Sequence, residues 1–241
     1  DINDANFSIT GSCPAPTITT QPSNATTCPN GNASFSVASD ASGFQWQVST
    51  DGGANWGNVS NGGVYGGATT GTLTITGATA GMGGYRYRAS VSNACGSLNS
   101  NAATLTLNAA PAITTNPTPA SICATFNTSF SAASTGTGVT NQWQVSTDGG
   151  TNWTNVTNGG VYSGATTTTL TITGATLAMN GSCYRMVASG TCTPAANSTS
   201  ACLTVVAPAV VTNNPANASI CSGGTITFSV AGTNTTVYKW Q

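Results

Sequence analysis

Catalytic chemistry has few residue types to draw on in this chain, because its 241 residues include no His and no Glu. The absence of His excludes nucleophiles activated by a Ser-His or Cys-His pair. The five Asp are scattered, which disfavours the carboxylate pair of a glycosidase. No glycine-rich loop leads from a strand into a helix to hold a phosphate. We therefore predict a protein that is not an enzyme and has no cofactor and no metal site.

The eight cysteines carry the chemistry that remains. In a chain without His they argue against zinc and for disulfides, which form in oxidising compartments. Three cysteines each follow a proline by six residues, and we name them the leading cysteines: Cys28, Cys123 and Cys221. Two others share a later position, and we name them the turn cysteines: Cys95 and Cys192. The remaining cysteines have no counterparts elsewhere in the chain: Cys13, Cys183 and Cys202.

Charged residues are scarce, at 4% of the chain, against about 25% in an average protein. With a net charge of −1, the chain has neither the basic surface that nucleic acid binding needs nor a polybasic membrane patch. No apolar run approaches the length that spans a bilayer. We therefore expect no nucleic acid partner and no membrane insertion.

Long stretches of the sequence occur twice and then begin a third time. Phe44 to Gly53 returns as Asn141 to Gly150, and the tryptophans at 46, 143 and 240 are 97 residues apart each time. This step matches one domain of about 100 residues rather than a solenoid repeat. The predicted segments are an upstream tail or linker (1–13), two complete repeats (14–108 and 109–207) and an incomplete third (208–241). We also expect that the ends are boundaries of a fragment.

Apolar and polar residues alternate with a period of two in short segments such as Ala33 to Val37 and Phe44 to Val48. This period is typical of strands with one buried face. Thr and Val, which favour strands, dominate, and turn residues recur every 8–12 positions. The sequence therefore predicts an all-β fold, built of tandem antiparallel β-sandwiches.

Within one repeat, several residues resemble those of an immunoglobulin domain: Trp46 on the third strand, Leu73-x-Ile75, Gly84, Tyr87, Asn93, Gly96 and Leu105-x-Leu107. In this family Tyr87, and Tyr184 after it, would be the tyrosine corner. The two core cysteines of the family would fall near Val37 and Ala89, and neither is Cys. The resemblance therefore implies a core in which apolar packing around Trp46 and Trp143 replaces that disulfide.

The phrase Trp-Gln-Val-Ser-Thr-Asp-Gly-Gly is similar to the immunoglobulin-like repeats of large secreted and surface proteins of Bacteroidetes. That resemblance implies an extracellular or cell-surface location and export by the type IX pathway. It implies a structural or adhesive role, as in adhesins or gliding filaments. The partners would be neighbouring domains or other copies, and glycans or surfaces. The alternatives are carbohydrate-binding repeats of a secreted hydrolase, and a filament subunit whose open third repeat is completed by a neighbouring chain.

The resemblance also bears on the disulfides. Cys183 and Cys202 would lie on neighbouring strands and form a surface cross-strand bridge. For the others, one scheme pairs Cys28 with Cys95 and Cys123 with Cys192, inside each repeat. In an immunoglobulin sandwich these positions lie at opposite poles, whereas bridged Cα atoms lie within about 7 Å. The favoured scheme pairs Cys28 with Cys192 and Cys13 with Cys95, leaves the partners of Cys123 and Cys221 outside the chain, and would make a stapled rod.

The segment Ser49 to Trp56, repeated as Ser146 to Trp153, resembles the Asp-box hairpin. We interpret it as a structural turn, because one carboxylate is too few for Ca²⁺. Two aromatic pairs are either a sugar-binding platform or packing at the sandwich edge: Trp56 with Tyr65, and Trp153 with Tyr162. Three arginines are predicted to pair with Asp or to be solvated: Arg86, Arg88 and Arg185.

Overall fold

Strands make up nearly all regular structure in residues 13–240, the part of the chain that the computed structural model describes. Two short 3-10 turns, Ala80–Met82 and Leu177–Met179, are the helical elements of this part. No helix within it is long and apolar enough to cross a membrane. The predicted all-β class is therefore confirmed. The predicted upstream tail lies outside the described residues except for Cys13.

The chain divides into two compact units. The first unit comprises residues 1–110 together with the short segment 191–193. The second comprises residues 111–190 and 194–241. The segment 191–193 thus belongs to the first unit although its sequence neighbours belong to the second.

The first unit contains eleven strands. In chain order they are β1 (Ile18–Thr20), β2 (Ala25–Thr27), β3 (Ala33–Ser36), β4 (Ala38–Ser39), β5 (Gly43–Ser49), β6 (Gly57–Asn58), β7 (Tyr65–Gly66), β8 (Thr72–Ile75), β9 (Arg86–Asn93), β10 (Gly96–Asn99) and β11 (Ala103–Leu107). One sheet has the order β2-β11-β9-β5-β6, with β10 also paired to β9. A second sheet has the order β3-β8-β7, and β1 pairs with β4.

The second unit repeats this arrangement. Its strands are β12 (Ala112–Thr115), β13 (Ala120–Cys123), β14 (Thr128–Ser131), β15 (Ala133–Thr135), β16 (Thr140–Ser146), β17 (Thr154–Asn155), β18 (Tyr162–Ser163), β19 (Thr169–Ile172), β20 (Cys183–Ser189), β21 (Ala196–Asn197) and β22 (Ala201–Val206). The larger sheet has the order β13-β22-β20-β16-β17, with β21 on β20. The smaller sheets are β14-β19-β18 and β12-β15.

Each of the predicted antiparallel sandwiches also contains one parallel strand pairing. β2 pairs with β11 in parallel, and β13 pairs with β22 in parallel. The first strand of each lead-in, β1 or β12, belongs to a different sheet, and the chain then passes through a proline before it joins the last strand. Pro22 lies at this crossing in the first repeat, where its missing N–H removes no ladder bond.

The core of each repeat surrounds its tryptophan. Trp46 and Trp143 are both 0% exposed, and each indole N–H donates to a backbone oxygen, of Thr70 or Thr167, at 2.9 Å. Phe35 packs 6.5 Å from Trp46 between ring centroids. The family's cysteine positions, Val37 and Ala89, are buried in the same cluster: Val37 7% and Ala89 0% exposed. Apolar packing therefore stands in the place of the core disulfide.

Residues 208–240 contain two further strands, β23 (Val210–Asn213) and β24 (Ala231–Thr233), which pair with each other. Here the counterparts of core residues are open to solvent. Phe228 is 49% exposed and Trp240 57%, whereas Phe130 is 1% and Trp143 0% exposed. In the second repeat Phe130 and Trp143 lie in a core cluster with residues of β19, β20 and β22, and residues 225–230 have no strand pairing in the described part.

Candidate functional site

Six cysteines form three disulfides: Cys13–Cys95, Cys28–Cys192 and Cys183–Cys202. Their Cα separations are 5.6, 5.6 and 3.9 Å, respectively. These pairs are the ones that the sequence reasoning favoured. Cys28 does not bond to Cys95, and Cys123 does not bond to Cys192. Cys123 and Cys221 are exposed and free in the structure.

The Cys28–Cys192 bond joins residues that are 164 positions apart. Cys28 follows β2, and Cys192 lies in the turn between β20 and β21. The Cys28 sulfur is 3.8 Å from the Thr191 carbonyl oxygen, and the Cys192 sulfur is 3.6 Å from that of Asn108. The bond therefore links the leading cysteine of one sequence repeat covalently to the turn cysteine of the next.

The Cys183–Cys202 bond joins directly opposed residues of β20 and β22. At the same register the first repeat has Arg86 opposite Thr104, so this bridge is specific to the second repeat. Cys202 is exposed as expected for a surface bridge, whereas Cys183 is 4% exposed. The surface position predicted for this bridge therefore holds for Cys202 and not for Cys183.

Each Asp-box hairpin is closed by its own polar groups. The Ser49 hydroxyl donates to the Asp51 carboxylate at 2.7 Å and accepts the Gly53 N–H at 2.8 Å. The Asn55 backbone and side-chain N–H groups donate to Asp51 at 2.9 and 2.7 Å. Trp56 closes the turn with a 3.0 Å bond from its indole N–H to the Gly53 carbonyl. The second hairpin has the same pattern around Asp148.

These donors act on the carboxylates. The Asn152 backbone N–H, the Ser146 hydroxyl and the Asn152 side chain lower the pKa of Asp148 to about 2. The same three kinds of donor hold the pKa of Asp51 well below its usual range. Donors of a hydrogen bond favour the charged carboxylate. Because the donors to Asp51 and Asp148 belong to their own hairpins, the structure assigns these aspartates to the turn. No group of three or more potential metal ligands occurs in the described part of the chain.

The low pKa values predict an acid-sensitive stability. A carboxyl with a depressed folded pKa stabilises the fold above its unfolded pKa, near 3.9, and loses this contribution as pH falls through the folded value. We expect the melting temperature of the wild type to fall between about pH 4 and about pH 2, the pKa of Asp148. The double variant Asp51→Asn/Asp148→Asn should be less stable than wild type at neutral pH, and the difference should vanish near the acid end. Melting followed by circular dichroism at each pH measures this.

The double variant keeps Asp40 as its remaining aspartate among residues 13–240. Thr17 donates to Asp40 from its backbone N–H at 2.7 Å and from its hydroxyl at 2.9 Å, and these bonds lower the pKa of Asp40. A shallow acid slope should therefore persist in the double variant. A difference in melting temperature that is the same at every pH would contradict the assigned role of the hairpin aspartates.

Tyr65 and Tyr162 pack at the edge of the core. The Tyr65 hydroxyl lies 3.1 Å from that of Tyr87, and the rings meet edge to face at 6.1 Å. Tyr162 and Tyr184 repeat this contact. Burial, followed by the tyrosine hydrogen bond, raises the pKa of Tyr87 and of Tyr184 above the usual range. The partner of the Tyr87 hydroxyl is thus another side chain, that of Tyr65.

Trp56 and Trp153 take different partners from the tyrosines. The Arg88 guanidinium carbon lies 4.3 Å from the centroid of the Trp56 ring, and Arg185 lies at the same distance from Trp153. Arg88 Nε donates to Gln47 at 2.9 Å, and Gln47 donates to Asn58 at 3.0 Å. Arg88 therefore follows neither of the two alternatives predicted for the arginines, pairing with Asp or solvation.

The hairpin brings this stack together, because it returns the chain from β5 to β6 beside the strand that carries the arginine. β5 pairs with both β6 and β9. Sequence reasoning missed the stack, although Arg88 and Arg185 recur with the same 97-residue step as their tryptophans. Arg86, the third arginine, is exposed, and its guanidinium would lie 3.5 Å from a Cβ placed on Gly53.

One family model, described as Domain of unknown function (DUF8696), matches the chain twice, over residues 17–109 and 112–207. The two matches fall on the two complete sequence repeats. A search of curated proteins finds no match.

Several solved structures share the fold. The I-band fragment I67–I69 from titin matches with a TM-score of 0.63 and 18% identity, over 85% of this chain and 70% of that chain. An E-to-A variant of the same titin domains matches with a TM-score of 0.61 and 19% identity, over 83% and 69%. The IG1+IG2 structure of DIP-gamma matches with a TM-score of 0.52 and 13% identity, over 80% of this chain and 98% of that chain. At these identities the likeness shows the fold alone, which is that of tandem immunoglobulin-like domains.

Proposed function

The chain belongs to the family described as Domain of unknown function (DUF8696), and we propose that it is a non-catalytic, tension-bearing array of immunoglobulin-like repeats in an extracellular protein. The observation that carries the proposal is the Cys28–Cys192 disulfide. Neither Cys28 nor Cys192 belongs to the core cluster of its repeat. The effect of the bond is to keep the chain from being drawn out between them.

An extracellular location follows from the disulfides, because such bonds persist in oxidising environments. Three disulfides in one chain of this size fit that setting. The low charge of the surface fits a spacer whose behaviour depends little on salt. The resemblance to Bacteroidetes surface proteins supports a bacterial adhesin or gliding-type filament, exported by the type IX pathway, as the finer form of this role.

A carbohydrate-binding role would need the free face of the Trp56 and Trp153 rings. Arg88 and Arg185 lie against these rings, and Tyr65 and Tyr162 are engaged with core tyrosines. Stacking of a sugar would therefore involve one tryptophan alone rather than a Trp–Tyr platform. The tension-bearing role does not need these side chains to be accessible, and we favour it for that reason.

The force response of single molecules tests the proposal. When the chain is pulled from its ends, the segment closed by the Cys28–Cys192 bond cannot extend. A fully extended residue spans about 3.3–3.6 Å, so 164 residues withhold about 540–590 Å. We expect the oxidised chain to be shorter than the reduced chain by this amount after complete unfolding, measured by optical tweezers with and without reductant.

Two variants sharpen the measurement. Cys28→Ser should lengthen the oxidised chain, because only the shorter Cys13–Cys95 and Cys183–Cys202 loops then stay closed. Cys183→Ser/Cys202→Ser is the matched control and should leave the oxidised length almost unchanged, because Cys192 lies midway in that loop. An oxidised wild-type chain that extends as far as the reduced one would refute the tension-bearing role.

A further inference from the structure

The leading cysteine of the second repeat, Cys123, is exposed and has no disulfide, whereas its counterpart Cys28 is bonded to a turn cysteine. We propose that Cys123 is the attachment site for the turn cysteine of a third complete repeat, through a disulfide of the Cys28–Cys192 kind. The proposal rests on the proposed function and names the partner that continues the array. The bond to Cys123 would form by thiol–disulfide exchange. The segment that binds there would be the turn of the third repeat that is equivalent to Thr191–Thr193.

The backbone holds Cys123 as it holds Cys28. The carbonyl of Cys28 accepts the N–H of the third following residue at 2.9 Å, and that of Cys123 does so at 3.3 Å. The second residue after each cysteine has a positive φ, which is 64° for Asn30 and 72° for Thr125. Its N–H donates at 2.7 Å to Ala78 or Ala175.

A positive φ is costly for a β-branched residue such as Thr125. Asn tolerates this conformation and Gly adopts it freely, and the third repeat has Gly223 at the same place with a φ of 84°. All three repeats thus have the same turn, even in the second repeat, where the β-branched side chain of Thr125 disfavours a positive φ. The same turn therefore holds all three leading cysteines, although within residues 13–240 Cys28 is the one that forms a disulfide.

The neighbouring strands also agree. β2 runs parallel to β11 in the same register as β13 to β22, so that Cys123 lies opposite Val206. The corresponding residue beside Cys28 is Asn108, whose carbonyl is 3.6 Å from the Cys192 sulfur. A turn cysteine that approached Cys123 in the same way would therefore meet Val206.

The surroundings of Cys123 carry an independent sign of a partner. Phe126 is 64% exposed, Leu177 51% and Val206 45%. The first repeat has Gly31, Ala80 and Asn108 at these positions. Phe126 is bonded to the segment that leads to Leu177, because the Ala175 N–H donates to the Phe126 carbonyl at 2.9 Å. Phe126 follows Cys123 by three residues and Val206 lies opposite it in the strand register, so exposed apolar side chains lie on both sides of a free thiol, as at an interaction site.

The bond forms by exchange with a small disulfide such as oxidised glutathione. One protein thiolate attacks the small disulfide and releases one small thiol, and the second protein thiol displaces the other. Two protein thiols lose two electrons and two protons in all, and one small disulfide is reduced to two small thiols. No other reagent is needed.

The test uses the 241-residue chain and a version extended after Gln241 by a second copy of residues 145–207. Trp240-Gln241 matches Trp143-Gln144, so this extension completes the third repeat and supplies one new turn cysteine. Both proteins are equilibrated with oxidised glutathione and an excess of reduced glutathione, so that unpaired thiols do not stay capped as mixed disulfides, and are then treated with iodoacetamide without further reductant. The 241-residue chain should take two adducts, at Cys123 and Cys221.

In the extended chain we expect alkylation of Cys123 to fall roughly tenfold or more, because a bonded sulfur is no nucleophile. Cys221 should stay reactive and is the internal control. Replacing the new turn cysteine by Ser should restore Cys123 alkylation. A second extension, built from residues 48–107, supplies the Cys95 turn instead and guards against a failure of the first extension to fold.

Cys123 alkylation that is undiminished in both extended chains would overturn the proposal. So would protection that survives the Ser replacement, or protection of Cys123 in the 241-residue chain through a bond to a second copy. None of these outcomes affects the Cys28–Cys192 bond, so the proposed function and this inference fail separately.

Discussion

Trp46→Ala is expected to lower the free energy of unfolding of the first repeat by about 3–5 kcal/mol, the usual cost of truncating a fully buried aromatic side chain. The indole is 0% exposed and lies among Phe35, Leu73 and Ala89 in the core cluster. Its loss also leaves the Thr70 carbonyl without the 2.9 Å indole bond. Urea unfolding followed by circular dichroism measures the effect.

Trp56→Ala is the matched control, because it removes the same side chain from the hairpin instead of the core. It loses the Arg88 stack, and a cation–π contact at an exposed site contributes about 0.5–1 kcal/mol. Trp143→Ala should reproduce the larger effect in the second repeat, where the indole is equally buried. Equal losses for Trp46→Ala and Trp56→Ala would contradict the assignment of Trp46 as the centre of the core.

Removing the Cys28–Cys192 bond should have the largest effect of any disulfide in the chain. In the chain-entropy description a closed loop of 164 residues stabilises the fold by about 5 kcal/mol. Cys28→Ser/Cys192→Ser should lower the free energy of unfolding by up to about this amount. Both this variant and the parent protein that it is compared with should also carry Cys123→Ser and Cys221→Ser, so that no unpaired thiol of the parent can exchange.

Cys183→Ser/Cys202→Ser provides the comparison, since this bond closes only 19 residues. The same description assigns it about 3 kcal/mol. Denaturant unfolding of both variants in the same background gives the order of the two effects. If removal of the 19-residue loop cost more than removal of the 164-residue loop, the bond would not constrain the chain as we infer.

Much of the fold follows from local patterns in the sequence. The alternation around Phe35 and Trp46 determines which face of each strand is buried, and the 97-residue step separates the repeats. The pairing of the leading and turn cysteines followed from distances, since those of one repeat lie too far apart to bond. Those distances came from the immunoglobulin resemblance, because spacing alone does not determine connectivity.

The features that sequence reasoning missed are contacts between distant segments. The parallel pairing of β2 with β11 depends on where the chain crosses after β1, and no local pattern reports it. Arg88 reaches Trp56 only because β9 and β6 both flank β5. The hydroxyl bond of Tyr87 likewise depends on the turn that precedes Tyr65. In each case the partner is set by tertiary pairing and not by the residue's own neighbours in sequence.

The central claim is that a disulfide joins the first repeat to the turn of the second. Digestion of the unreduced protein with pepsin, at a pH where thiolates are protonated and exchange is slow, followed by mass spectrometry, tests it directly. We predict a linked pair of peptides that contains Cys28 and Cys192, and another that contains Cys13 and Cys95. A linked pair that contains Cys28 and Cys95 would contradict the claim.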